Sequence, residues 1–192
     1  SSTMELNVIG GRVELAGGAE SDQLLAGQAV LPRNGSLAPV YSKPVNGESR
    51  LLLAVENSNQ LLAGDQSAYQ YDFKVNSDLP FDLRTEVVLG ELLFDLSDTQ
   101  VRSVETELAL GAQTITIPCN DGLVVEMEQA LGSVILNIPN GCDVSIRLDN
   151  ALVSTTIPAG WVRSDDMVTN PDADANAGSV EVRIGVAVGA VG

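Results

Sequence analysis

The stretch ALGSVILNIPNG, residues 130–141, repeats the design of ALGAQTITIPCN, residues 109–120, at a distance of 21 residues. In each stretch a Gly precedes a Pro by seven positions, and apolar residues alternate with other residues between them. Alternation with a period of two is typical of a half-buried β-strand and not of a helix. The Gly therefore marks a corner or bulge between two strands, and the Pro ends the second strand because it has no N–H to donate.

Four copies of this unit follow one another from about residue 83. Setting Gly90, Gly111, Gly132 and Ala151 in register aligns them at spacings of 21, 21 and 19, with Ala151 replacing the Gly in the fourth copy. A partial fifth copy near the end carries strand residues of the segment before the corner, namely Val180, Val182 and Ile184. Two further expectations follow from the alignment: Leu110 lies on the inward face, and one buried ladder contains Ile117, Ile138 and Ile157.

Repeats of about 20 residues are typical of a solenoid in which each copy is one rung. The predicted fold is therefore all-β, with stacked β-solenoid-like (β-helix-like) repeats of about 21 residues and a smaller N-terminal β part. An antiparallel meander is the alternative. The composition changes near residues 76–80, which predicts an N-terminal β region over residues 1–78 and a repeat domain over residues 79–192.

Composition excludes several classes of function. The formal net charge of −16 repels phosphate backbones, which argues against a nucleic-acid partner. The chain has no His and only two Cys, so it can form neither a Ser–His–Asp or Cys–His catalytic site nor a zinc site of four Cys. No apolar run reaches the roughly 20 residues of a membrane-spanning helix, so we expect no membrane span in this segment.

Two segments resemble the toast-rack family of bacterial envelope proteins. They are DFKVNSDLPFDLRTEVVLGELLFDLSDTQV, residues 72–101, and GGRVELAGGAESDQLLAGQA, residues 10–29. The repeats after Val101 are similar to the C-terminal domain of LiaF-type cell-wall-stress proteins and to related candidate adhesins. The resemblance implies an exported, extracytoplasmic β-domain of the cell envelope whose N-terminal signal or anchor has been removed or omitted. No catalytic residues come with it.

An acidic column is the first candidate site. The alignment places Glu86, Glu107 and Glu128 in one outward column, continued by Arg147 and Arg183. Carboxylates on stacked parallel strands are about 4.8 Å apart and repel one another. The column is either a surface for calcium or a cationic partner, or a solvated face that keeps the sheet soluble.

The segment NPDADANAG, residues 170–178, is the second candidate. Asp172, Asp174 and Asn176 give the alternating oxygen ligands of a calcium-binding loop, although the position of the bidentate Glu is taken by Arg183. A solvated turn is the alternative, and no other cofactor is expected.

The two Cys residues are the third candidate. Moving Cys119 by one repeat leads to Asn140, so Cys142 lies two residues further on the same side of a neighbouring rung. The two thiols are either joined in a disulfide, which export favours, or free. Trp161 follows a Pro-Ala-Gly loop and either binds a glycan or peptide or caps the open end of the core.

These observations predict a non-enzymatic domain that binds or regulates a protein or cell-envelope partner. An adhesin or a structural surface protein is the alternative. The residues predict neither the identity of the partner nor an oligomeric state.

Overall fold

A computed structural model describes residues 2–31, 36–45, 48–56, 69–174 and 177–192. This part of the chain contains twelve strands and no helix, so it holds no helix that could cross a membrane. The strands of the N-terminal part are β1 (Ser2–Gly17), β2 (Leu25–Val30), β3 (Ser36–Val45), β4 (Glu48–Glu56) and β5 (Gln70–Val75). The remaining strands are β6 (Phe81–Asp95), β7 (Val101–Thr116), β8 (Leu123–Asn137), β9 (Asp143–Thr155), β10 (Val162–Ser164), β11 (Met167–Thr169) and β12 (Ser179–Val191).

The long strands stack in parallel. The sheet runs in the order β10-β11-β9-β12-β8-β7-β6-β1-β4-β3, and every pair from β9 to β4 along this path is parallel. Among the described strands, antiparallel pairing is confined to β3 with β4, β2 with β5, and the β10–β11 hairpin with β9. The stacked-repeat prediction is confirmed, and the antiparallel meander is wrong.

Each long strand folds back on itself at its Gly. Strand β6 has 15 residues and would span about 50 Å if it were straight. Only residues 96–100 connect it to the start of the parallel β7, and five residues reach at most about 18 Å. The two halves of each strand must therefore face each other, and a hydrogen bond between them shows this directly: Thr106 Oγ1 donates to Gln113 Oε1 at 2.6 Å.

Burial changes phase at the corner. In β6 the buried apolar residues are Phe81, Leu83 and Val87 before the corner and Leu92 and Phe94 after it. The aliphatic core fills the space between the two arms, and the phase change lets both arms present apolar side chains to it. The corner interpretation of the Gly is confirmed.

The corner glycines form a column along the stack. Gly90 pairs with Gly111, which pairs with Gly132, which pairs with Gly189. A Cβ added at Gly111 would collide with the carbonyl oxygen of Gly90, and one at Gly132 would collide with that of Gly111. The backbones of these four adjacent corners are in contact, and at these four positions only glycine leaves room for this.

The fourth copy is placed differently from the prediction. Strand β12 lies between β8 and β9, and Gly189 pairs with Gly132 on one side and with Val153 on the other. Val153 therefore occupies the corner column, and the assignment of Ala151 to that column is wrong. Since Val153 follows Gly132 by 21 residues, the repeat length is kept through the fourth copy.

The predicted buried ladder of isoleucines is also wrong beyond its first member. Ile117 is fully buried, but Ile138 and Ile157 are half-buried. The inserted β12 separates the strands that carry them, and the shifted register moves Ile157 to another column. Leu110, expected to face inward, is exposed. The backbone pairing between adjacent strands skips one residue before each corner, and the side chain of Leu110 therefore points to the opposite side.

The N-terminal strands extend the same stack. Strand β1 pairs with β6 from Ser2↔Phe81 to Ala16↔Asp95. On its other side, β4 covers the first half of β1 and β5 covers the second half. Strands β4 and β5 together therefore occupy one rung. Strands β5 and β6, which lie on either side of residues 76–80 in the chain, both pair with β1 in the same sheet. The division at residue 78 stays a prediction.

Alkaline pH is expected to destabilise the fold through Tyr71. Burial, together with the nearby Tyr69, raises the pKa of Tyr71 from 10.0 to about 12. The unfolded chain therefore loses this proton first, so the contribution to stability is complete below pH 10 and is lost as pH rises toward 12. Urea unfolding over this range should show a steeper loss for the native protein than for Tyr71→Phe. Equal slopes would contradict the assignment.

Candidate functional site

An apolar cavity of about 420 Å³ lies at one end of the stack, among the ends of β8, β9 and β12 and the loop after β9. We call it the Trp161 cavity, after the single Trp of the chain. The apolar side chains that line it include Leu136, Ile138, Ile146, Ile157, Trp161 and Val168.

The inserted β12 explains this cavity. Its end is bonded on both sides, since Leu136 N donates to Gly192 O at 3.0 Å and Thr156 N donates to Val191 O at 2.7 Å. With β12 between them, the ends of β8 and β9 stand two strand spacings apart, which is roughly 9.6 Å. Pro139 and Pro158 follow and cannot donate to a ladder. The space between the two ends is therefore bounded by side chains.

Polar groups gather on one wall of the Trp161 cavity. Asn170 Nδ2 donates to Cys142 O at 3.0 Å, and Asn170 Oδ1 accepts from Asp172 N at 3.1 Å. Asn140, Asn170 and Asp172 all line the cavity. An apolar pocket of this size with a few polar groups on one side is the usual form of a binding site for a small molecule or a partner's side chain.

The predicted calcium ligands lie near this wall. Asp172 lines the cavity, and Asp174 N donates to Gly141 O at 2.8 Å, which places the Asp174 side chain beside Gly141. Asn176 lies outside the described residues. Within the part of the chain that the structure describes, no three His, Cys, Asp or Glu side chains are grouped so that they could hold a metal ion. The calcium hypothesis stays a prediction.

The structure joins Cys119 and Cys142 by a disulfide, with their Cα atoms 5.7 Å apart. The bond connects the loop after β7 with the turn between β8 and β9. Residues 139–141 of that turn form part of the cavity wall. The disulfide therefore fixes one wall of the Trp161 cavity against the adjacent rung.

The outer face of the stack carries two charged columns, and the predicted acidic column needs a correction. Arg183 pairs with Glu126 and with Arg147, so both arginines belong to a mixed column that also contains Arg84 and Glu105. Arginine and glutamate form ion pairs there, with Arg84–Glu105 at 2.9 Å and Arg183–Glu126 at 3.4 Å.

The neighbouring column is acidic. Glu86 pairs in register with Glu107 and Glu107 with Glu128, followed by Gly185 and Asp149. No Arg or Lys lies in this run, and the one ion pair to it within the described residues is Arg84–Glu107 at 3.8 Å. The predicted column of three glutamates is confirmed, but its continuation by arginines is wrong.

The acidic column borders a shallow groove of about 830 Å³. We call it the outer groove and define its floor by Val88, Ala109, Ala130 and Ala187. All four are exposed, and each is the residue that the ladder skips before the corner. The outer groove thus has a strip of small apolar residues beside a line of carboxylates.

Sequence reasoning singled out Trp161 and the three glutamates but predicted neither the cavity nor the groove. Both depend on positions that alternation does not reveal. The cavity requires β12 to lie between β8 and β9. The groove requires that one residue per rung be skipped in the backbone pairing between adjacent strands.

Comparisons with known proteins agree with this architecture. The family model described as the N-terminal domain of toast_rack, DUF2154, matches residues 1–136. No curated protein matches the chain. A crystal structure of a candidate cell adhesion protein from Clostridium sporogenes ATCC 15579 is similar, with a TM-score of 0.82 and 18% sequence identity over 99% of this chain and 90% of that one.

Proposed function

This chain belongs to the toast-rack family, and from that premise we propose that it is a non-enzymatic domain of the cell envelope that binds or regulates a partner through the Trp161 cavity.

The cavity itself carries the proposal. It offers a preformed apolar space of about 420 Å³, which is large enough for an apolar side chain or a small apolar group. Trp161 is half-buried there, and Trp is among the residues that contribute most to binding energy at protein interfaces. The polar wall with Asn140 and Asn170 supplies hydrogen-bonding groups that can orient what enters.

The disulfide supports a location outside the cytoplasm, because disulfides form and persist in oxidising compartments. The high negative charge agrees with a soluble, exposed surface and with partners other than nucleic acid. The sequence has no His, and the described lining of the cavity contains one carboxylate, Asp172, but no Ser, Cys or Lys, which supports a binding role rather than nucleophilic catalysis.

Binding to the cavity can be tested through Trp161 fluorescence. The probe is anilinonaphthalene sulfonate, an anionic dye whose apolar rings bind apolar sites and accept energy from Trp, and titration should quench Trp161 with one-site saturation. Ile138→Gln places a polar side chain in the cavity and should weaken binding about tenfold, the usual effect of losing one or two methylene contacts. Ile135→Gln is the matched control, since Ile135 is three residues away and exposed. Equal effects of the two variants would contradict a cavity site.

An adhesin is the second candidate function. It is favoured by the similar solved structure, which is described as a candidate cell adhesion protein. Beads coated with this protein should then attach to cells or to one another, and the Ile138→Gln variant should attach less. Attachment that is unchanged by Ile138→Gln would separate adhesion from the cavity.

A further inference from the structure

We propose that the outer groove is a docking site for a cationic, amphipathic segment of a partner protein, with Lys or Arg side chains on the acidic column and aliphatic side chains on the apolar floor.

The contrast between the two outward columns is the first observation. The mixed column neutralises itself through ion pairs such as Arg84–Glu105 and Arg183–Glu126. The acidic column, one position further along the same face, repeats Glu86, Glu107 and Glu128 on adjacent rungs. Like charges about 4.8 Å apart destabilise a sheet, so this column gains more than its neighbour from a cation placed on it.

The apolar floor is the second observation. Val88, Ala109, Ala130 and Ala187 leave a flat strip on which aliphatic side chains can pack. The next aligned positions along the chain, Leu110, Leu131 and Val188, are exposed as well. Exposed apolar residues that repeat on four adjacent rungs form a contiguous patch, and such patches mark interaction surfaces on soluble proteins.

Gln129 is the third observation. It lines the outer groove between two aliphatic residues of its column, Leu108 and Val186. Its Nε2 donates to Gly111 O at 2.7 Å and to Leu131 O at 3.2 Å, which fixes the amide orientation. Only 4% of Gln129 is exposed, and its Oε1 has no hydrogen-bond partner among the described residues. Because this oxygen is buried, a donor from a docked segment could satisfy it only if the side chains that cover it moved aside.

These observations favour a polypeptide over the other cationic partners. A metal ion would need several carboxylates around one point, and the described residues provide no such group. The acidic column instead spreads its charge from Glu86 to Asp149 over four rung spacings, about 19 Å. That length fits a helical segment of about 13 residues. The charge of −16 would also speed the approach of such a segment.

The test uses two fluorescein-labelled peptides of about 14 residues, each of which forms a helix roughly 21 Å long. The first peptide, the Lys peptide, has Lys and Leu on opposite faces of the helix. The second, the Glu peptide, has Glu in place of Lys. Fluorescence anisotropy measures their binding to the full chain at fixed ionic strength. The triple variant Glu86→Gln, Glu107→Gln, Glu128→Gln should weaken binding of the Lys peptide about tenfold or more. The matched control, Glu105→Gln, Glu126→Gln, Glu181→Gln, removes the same charge from the neighbouring part of this face and should change it less than about twofold.

Ala109→Asp tests the floor separately and should weaken binding of the Lys peptide although it adds a negative charge.

Equal losses in the two triple variants would mean unspecific charge attraction and would overturn the proposal. Binding of the Glu peptide as tight as that of the Lys peptide would overturn it too. Displacement of the Lys peptide by millimolar calcium at matched ionic strength would assign the column to a metal cation instead. The Trp161 dye titration on the same variants should be unchanged, so this result is independent of the proposed function.

Discussion

Replacing Gly111 by Ala is expected to lower the free energy of unfolding by about 2–5 kcal/mol, which is a large share of the total for a domain of this size. Gly111 has a φ of 144°, where an L-residue is strained by roughly 1–2 kcal/mol. The added Cβ would also meet the carbonyl oxygen of Gly90 in the adjacent rung. Since that oxygen belongs to the backbone of the stack, it cannot move without disturbing the ladder, and overpacking of this kind costs a further 1–3 kcal/mol or so.

Gly122→Ala is the matched control for this prediction. Gly122 also has a positive φ, at 75°, but a Cβ there would have no atom within 4 Å. It should therefore cost only the conformational strain of about 1–2 kcal/mol. Urea unfolding followed by circular dichroism compares the two. A Gly111→Ala variant as stable as Gly122→Ala would show that the corners are not in contact in the way described.

Removing the disulfide is expected to cost roughly 3 kcal/mol, the chain-entropy value for a closed loop of about 24 residues. The double variant Cys119→Ala, Cys142→Ala avoids leaving a free thiol. Because the bond holds the turn at residues 139–141 against the adjacent rung, the double variant should also bind the dye in the Trp161 cavity more weakly.

Chemical reduction of the native protein provides the comparison, and it should reproduce the loss of stability seen in the double variant. Mass spectrometry after alkylation supplies the independent check. Two alkylated thiols in the unreduced, denatured protein would mean that no bridge exists, and would weaken the case for an exported protein as well.

Much of the fold could be predicted from local patterns. Alternation at Ile115 and Ile117 predicts a strand with one buried face, and the 21-residue spacing from Gly111 to Gly132 predicts stacking in register. Both patterns arise because stacked copies place equivalent residues in equivalent surroundings. The pairing of Cys119 with Cys142 was one of two alternatives from the same spacing, because a repeat length gives the rung on which a residue lies but not the direction of its side chain.

The order of the rungs could not be predicted. The copies in β8, β9 and β12 have similar alternation, so each can pair with any other, and consecutive copies are the natural first expectation. The chain instead passes from β9 through the β10–β11 hairpin and returns between β8 and β9. That choice moved Val153 into the corner column and separated Ile138 from Ile157.

The sequence by itself therefore determined the all-β class, the repeat length and the corners, because these depend on side-chain alternation and on the special backbone freedom of glycine within each copy. Only the tertiary structure decided where β12 lies, and with it the Trp161 cavity, because strand pairing between distant segments depends on the whole stack. The same holds for the outer groove, whose floor consists of residues such as Ala109 and Ala130 that leave the ladder at each corner. Small apolar residues carry no sign of this in the sequence, since their exposure follows from how adjacent rungs fit together.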